Sequence, residues 1–425
     1  MKKILAGKGL SSVVFLSLFL AACGGGGGSD SDSDSDADKN TTTPPPVVET
    51  PTDPAPTNPK PIDPLPTDPV DPKPTDSIDP VETDYTQVTI SSLGNQEQLG
   101  ASLLASNMIS LNRQSCGLGG VSHDEELAAI SRKHAMYLQY LYSNGKVNYN
   151  PHYEHKLVGF ESISGDANPY FTGGTLTERI KTAGYTAPGL IIAENITQKE
   201  SFNSNGMVNT PNREAKDFIK ALFAAPYHLQ SLVNPSFDKT GTSVITYTPF
   251  GKSPALNNGF ILVNSSSGTT ANTNYPKSGL ITYPCEGVID TSTALWTESP
   301  SPVAGTGRNL RTDPIGQPIY IFAPEADKIK VSNIKFYDTV RKTDVPIDLI
   351  DDENDPQKGT VYDLPENKAF ILPITDSLNS CGVTSSKTNC GLYANTKYTV
   401  SFDLLVNDKT LQRKSFSFTT GDTNY

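Results

Sequence analysis

Ala193-Glu194-Asn195-Ile196 is the stretch on which the reading of this 425-residue chain turns. Two others, His152-Tyr153-Glu154-His155 and Pro226-Tyr227-His228, gain a purpose only if they fold against it. The chain holds five histidines, and three of them stand in these stretches. Imidazole and carboxylate are the side chains that hold divalent metals or move protons near neutral pH. Groups so far apart along the chain form one site only if the fold gathers them.

The surrounding sequence reads as helices alternating with loops. Leu99, Leu103, Met108, Ile109 and Leu111 recur at helical spacing within 98–116, before Gly117 and Gly119-Gly120. Ser122-His123-Asp124-Glu125 has the form of a capping box, in which a hydroxyl and a carboxylate satisfy the first free amides of a helix. Leu127, Ile130, His134, Tyr137, Leu138 and Leu141 then share one face until Asn144-Gly145. On that apolar stripe His134 reads as a buried, hydrogen-bonded histidine, and His123 reads as a surface residue of the first turn. Thr175 to Glu178 opens a third helix with a second capping box, which Gly184-Tyr185 ends. Residues 212–225 form a fourth helix, with Phe218, Ile219, Leu222 and Phe223 inward. Pro226 breaks it, which leaves His228 at a helix break. Residues 242–248 and 260–263 read as strands.

Taken in order, several short motifs resemble the bacterial CAP domains, relatives of the cysteine-rich secretory, antigen 5 and pathogenesis-related proteins, also called SCP-like domains. They are Leu111-Asn112-Arg113, Lys133-His134-Ala135, His152-Tyr153-Glu154, Phe171-Thr172-Gly173, Glu178-Arg179-Ile180, Ala183-Gly184-Tyr185, Ala193-Glu194-Asn195-Ile196, Ala225-Pro226-Tyr227-His228 and Asn234-Pro235-Ser236-Phe237 with Gly241. The resemblance implies a three-layer α-β-α sandwich over residues 95–268, with a cleft lined by two histidines and two acids. Glu194 matches the acid of the Glu-Asn motif, and His228 matches the histidine of the Pro-Tyr-His turn. The first cleft histidine is matched by His152, with His155 as its competitor. A second, helical glutamate is expected near 222–225, where this chain has none; either Glu154 takes that role or the site has one strong carboxylate.

Two neutral imidazoles with one or two carboxylates suit zinc or another divalent metal with an open position. The same groups without metal suit general acid-base work, or a hydrogen-bonded structural network. No Ser or Thr stands in a nucleophile elbow, and there is no phosphate-cradling loop or dinucleotide fingerprint.

Beyond the texture change near 265–278, residues 279–422 read as short Val/Ile/Tyr/Phe/Thr strands separated by turns. Tyr398, Val400 and Phe402 alternate with Thr399, Ser401 and Asp403. This half resembles the immunoglobulin-like modules that follow some bacterial CAP domains. The fold class expected is therefore α+β, a CAP-type α-β-α sandwich followed by an all-β immunoglobulin-like sandwich. Trp296 reads as a core or domain-contact residue, and no catalytic cluster is visible in this half. Cys381 and Cys390 enclose a short polar loop and form the natural disulfide pair, which by counting leaves Cys116 to pair with Cys285 and clamp the two halves.

Residues 1–23 read as an export signal: Lys2, Lys3 and Lys8, an apolar run from Leu10 to Leu20, then Leu20-Ala21-Ala22-Cys23, which resembles a lipobox. Cys23 is then the lipidated residue and a membrane anchor. Gly24 after it points, by resemblance to Gram-negative sorting rules, to the outer membrane, facing either the periplasm or the cell surface. Residues 24–85 alternate Ser with Asp and then run through a Thr/Pro/Asp tract with 14 of the 33 prolines. Such a segment cannot build a core; its roughly 40 proline-rich residues reach about 120 Å as an extended tether. The signal carries +3 and the tether −11 of the net −12, so the folded part is only mildly acidic at −4. That excludes the basic footprint of a nucleic-acid binder.

Three functional readings follow. The leading one is a non-enzymatic or metal-binding envelope lipoprotein whose cleft binds a divalent metal, a small ligand, a lipid or an envelope component, with the β half as spacer or docking module. The others are a metal-assisted envelope hydrolase acting on peptide or peptidoglycan-derived substrate, and an adhesin working through the β half.

Overall fold

Apolar periodicity and caps place the helices of the computed structural model, which describes residues 96–202, 209–254, 257–270, 279–381 and 387–422. The expected signal, Cys23 and the tether lie outside the described residues. Helix α1, Gln96–Ser115, buries Ala101, Ala105 and Ile109. Helix α2, Glu125–Asn144, buries the stripe from Leu127 to Leu141 and ends where Gly145 takes the C-cap. Its N-cap corrects the sequence expectation: Asp124, not Ser122, accepts the Leu127 amide at 3.0 Å. Ser122 and His123 instead form a short strand, β1, paired in parallel with Lys239 and Thr240. Helix α3, Leu176–Thr182, carries the full reciprocal capping box between Thr175 and Glu178. Helix α4, Pro211–Ala224, is followed at once by α5, Pro226–Leu232. Proline disrupts a helix interior but suits the first turn, where its missing N–H is no loss, so Pro226 both ends one helix and starts the next.

Three long strands complete the first sheet: β2, Leu190–Phe202; β3, Phe237–Tyr247; and β4, Asn257–Thr269. The order is β1-β3-β4-β2, with β2 at an edge. Val244 pairs with Leu262, and Ile245 with Ile261. Because successive strand residues face opposite sides, Val244, Phe260 and Leu262 join the core of α1, α4 and α5. Ile245, Ile261 and Val263 join that of α2. The sheet is thus sandwiched between helical layers. Arg113, fully buried near the end of α1, ties this arrangement together by donating to the carbonyls of Gly119, Leu232, Asn234 and Phe237 at 2.8–3.0 Å. Burial pushes its guanidinium down to about 10.

The second half contains β5, Ile281–Tyr283; β6, Ile319–Phe322; β7, Ile329–Asp338; β8, Thr343–Asp344; β9, Ile347–Ile350; β10, Lys368–Pro373; β11, Lys397–Val406; and β12, Thr410–Thr419. They make two antiparallel four-stranded sheets, β5-β6-β10-β9 and β12-β11-β7-β8. Ile319, Ile321, Ala369 and Ile371 pack with Val400, Phe402 and Phe418 between the sheets. Tyr320, Phe370 and Leu372 belong instead to the core that holds Phe223, Leu229 and Leu232 of α4 and α5. The inner sheet is therefore apolar on both faces and fuses the halves through one core. Full burial of a large apolar side chain contributes about 1.5–3 kcal/mol, so this shared core is a strong joint. The cysteines pair as counting led us to expect, Cys381 with Cys390 and Cys116 with Cys285.

Candidate functional site

Edge strand β2 supplies the anchor of the site. Glu194 and Asn195 are neighbours on the strand and bond to different layers. The Asn195 amide donates to Ser231 Oγ of α5 and to Asn264 Oδ1, both at 3.2 Å. Glu194, 2% exposed, takes both of its oxygens to Nη2 of Arg179 on α3 at 2.7 Å. Arg179 also donates to the carbonyl of His152 at 3.1 Å. His152 Nδ1 lies 3.0 Å from Glu194 Oε1. Burial alone would raise the Glu194 carboxyl, but Arg179, His134 and His152 together hold it well below the usual carboxylate range. Burial pushes the His152 imidazole down to about 4, although Glu194 opposes that shift. At neutral pH the ring is then uncharged. Its Nδ1–H donates to Glu194, and Nε2 keeps a lone pair.

The other imidazole is held from an unexpected quarter. His228 lies in the first turn of α5, whose N-cap, Ala225, has no side chain able to cap it. Glu298, from the second half of the chain, fills that gap. Its Oε1 accepts the amides of Tyr227 at 2.8 Å and His228 at 3.3 Å, and lies 3.2 Å from His228 Nδ1. Burial raises the Glu298 carboxyl above its ordinary range, against the opposing pull of His228 and the two amides. No acid stands at 222–225, and the carboxyl that meets His228 comes from 70 positions downstream. Sequence reading missed it because Trp296 to Pro300 reads as an ordinary strand or turn.

Glu154 stands apart from this pair. It accepts from Thr172 and Gly173 amides at 2.7 and 3.3 Å, and its Oε1 meets His134 Nδ1 at 2.7 Å. His134 completes the arrangement with its Nε2 2.8 Å from the Pro151 carbonyl. These bonds pin the loop between α2 and α3, the structural role anticipated for His134. His155 is exposed and stacks on Tyr153, with centroids 4.8 Å apart. His123, partly buried, sits 3.5 Å from Glu125.

His228 is near enough for its charge to disfavour charge on His152. Buried polar atoms of the site residues that lack a hydrogen-bond partner include His152 Nε2, Arg179 Nε, Tyr227 Oη and Glu298 Oε2. Native proteins leave few such atoms unsatisfied, so each keeps capacity for a polar partner. Tyr362 of the second half closes on the same place, its ring 6.0 Å from that of Tyr227. Among the described residues no group of three or more His, Cys, Asp or Glu is placed to hold a metal ion. The separate groove lined by Tyr140, Tyr170, Thr246 and Phe260 holds none of the histidines.

An α-β-α sandwich with histidines gathered at one edge of its sheet, each held by a glutamate, defines a domain class. Residues 107–263 match the model of the Cysteine-rich secretory protein family, and the chain carries a CAP domain there. No curated protein matches the chain.

Proposed function

We propose that the chain is a lipid-anchored envelope protein whose CAP cleft binds a divalent metal such as zinc, completed by a small ligand, through His152 and His228. The observation that carries this reading is the geometry of His152: buried, met at Nδ1 by Glu194, and with Nε2 unpartnered. A carboxylate on the far nitrogen of an imidazole is the usual way a metal-binding histidine is aimed and made more basic. Glu194 is already committed to Arg179, and Glu154 to His134 and the loop amides, so neither serves as a ligand itself. Two imidazoles leave coordination positions for an outside ligand, which suits capture of an envelope component or lipid headgroup. A bound metal would supply Lewis acidity and charge for that ligand.

The second half reads as an immunoglobulin-like sandwich, supported by its two facing antiparallel sheets. The signal ending in Cys23 and the acidic, proline-rich tether favour presentation away from a membrane, the outer membrane by the residue after Cys23. No helix among the described residues is long and apolar enough to cross a membrane.

Calorimetric titration of the chelator-treated full chain with zinc tests the metal reading. About one equivalent should bind, and the His152→Ala/His228→Ala double variant should bind at least about tenfold more weakly. Identical weak uptake by both proteins would overturn it.

A further inference from the structure

We propose that Glu298 is the positioning residue of His228, so that the second half of the chain is a structural part of the CAP cleft. The inference rests on His228 being a cleft group, as read above. Four observations support it. First, one oxygen of Glu298 meets three nitrogens of the same turn, the amides of Tyr227 and His228 and the ring Nδ1. A residue needed only to cap α5 would have no reason to reach the ring as well. Second, the arrangement repeats the one at His152, where Glu194 lies against Nδ1 from another segment. Both imidazoles are thus offered a carboxylate on the same nitrogen, Nδ1. Third, Glu298 is 7% exposed with its second oxygen unpartnered. Burying a carboxyl is unfavourable without full compensation, and a partly satisfied buried group of that kind calls for a functional explanation.

Fourth, the joint that delivers Glu298 is rigid. Besides the shared core and the Cys116–Cys285 bridge, Tyr283 Oη donates to Asn112 Oδ1 at 2.8 Å and Gln317 Nε2 to the Phe223 carbonyl at 2.9 Å. Lys368 Nζ donates to Gln230 Oε1 of α5 at 3.1 Å. These contacts tie the second half to α1, α4 and α5.

Long-range nitrogen-15 spectra of the histidines in the metal-free full chain at pH 8 read out the tautomer directly. His228 should carry its proton on Nδ1. Glu298→Ala should lower the ratio of Nδ1–H to Nε2–H at His228 about tenfold, the effect of losing one hydrogen bond, and leave His152 unchanged. Glu298→Gln keeps an oxygen for the same three donors and should hold the ratio within about threefold of wild type. A wild-type His228 protonated on Nε2 overturns the proposal without any variant. So does a folded Glu298→Ala protein that melts lower but keeps the wild-type tautomer, because that is mere helix capping. Since the tautomer is read without metal, the result stands whether or not the cleft takes zinc.

Discussion

Arg179 carries the heaviest electrostatic duty at the site. It is 1% exposed, bonds both oxygens of Glu194, and touches the His152 carbonyl. Charge-assisted bonds of this kind are roughly twice as strong as neutral ones. Removing one member of a buried pair leaves the other charge uncompensated at about 3–5 kcal/mol. Arg179→Ala should therefore lower unfolding free energy in urea by about that much; a loss under about 1 kcal/mol would mean that solvent replaces it. Nothing near Glu178-Arg179-Ile180 announces this role. The stretch enters the reading only as a motif of the CAP resemblance, because what buries Arg179 is the return of β2 and the loop that carries His152. His152, Glu194 and His228 were legible as candidates from their residue types and motifs. Arg179 and Glu298 were not, since each acquires its function only from a partner distant in sequence.

Elements were read well where local chemistry sets them. The stripe of α2, the capping box of α3 and the alternation in β11 each follow from side chains within a few residues. Strand β2 was not recognised, although it holds Glu194, because Leu190 to Phe202 mixes apolar and polar residues on an edge strand. The cap of α2 was misplaced by two residues because Ser122 and His123 are drawn into pairing with β3, which no local signal records. The contact between α2 and that strand depends on Gly241. A Cβ added there would run into the backbone nitrogen of Ala128 and the carbonyl carbon of Leu127. Overpacking of this type costs about 1–3 kcal/mol. Gly241→Ala should lower the urea midpoint accordingly, and an unchanged midpoint would mean that the helix simply shifts.

At the scale of the molecule, the halves behave as one body. Ile319 to Phe322 and Ala369 to Leu372 are continuous apolar runs, the mark of a sheet buried on both faces, whereas the outer sheet alternates. The single tryptophan, Trp296, lies in the second half, and every α-helix described belongs to the first. Trp296 fluorescence and helical circular dichroism should consequently follow one coincident urea transition. Separate transitions would show that the shared core is not cooperative. Cys116→Ser/Cys285→Ser should keep the coincidence while costing about 2–4 kcal/mol, because the bridge closes a long loop spanning 169 residues.

What the sequence determined by itself was the inventory: helical stripes, caps, strand alternation, the cysteine pairs, and the residue types of a CAP cleft. These depend on spacing within a few residues or on simple counting. Tertiary structure alone decided which carboxylate serves which imidazole. It placed Glu194 between Arg179 and His152, gave Glu154 to the loop, and brought Glu298 from the other half to His228. The physical reason is that a hydrogen bond depends on position within a few tenths of an ångström. Such positions come from packing across layers, which no pattern along the chain encodes.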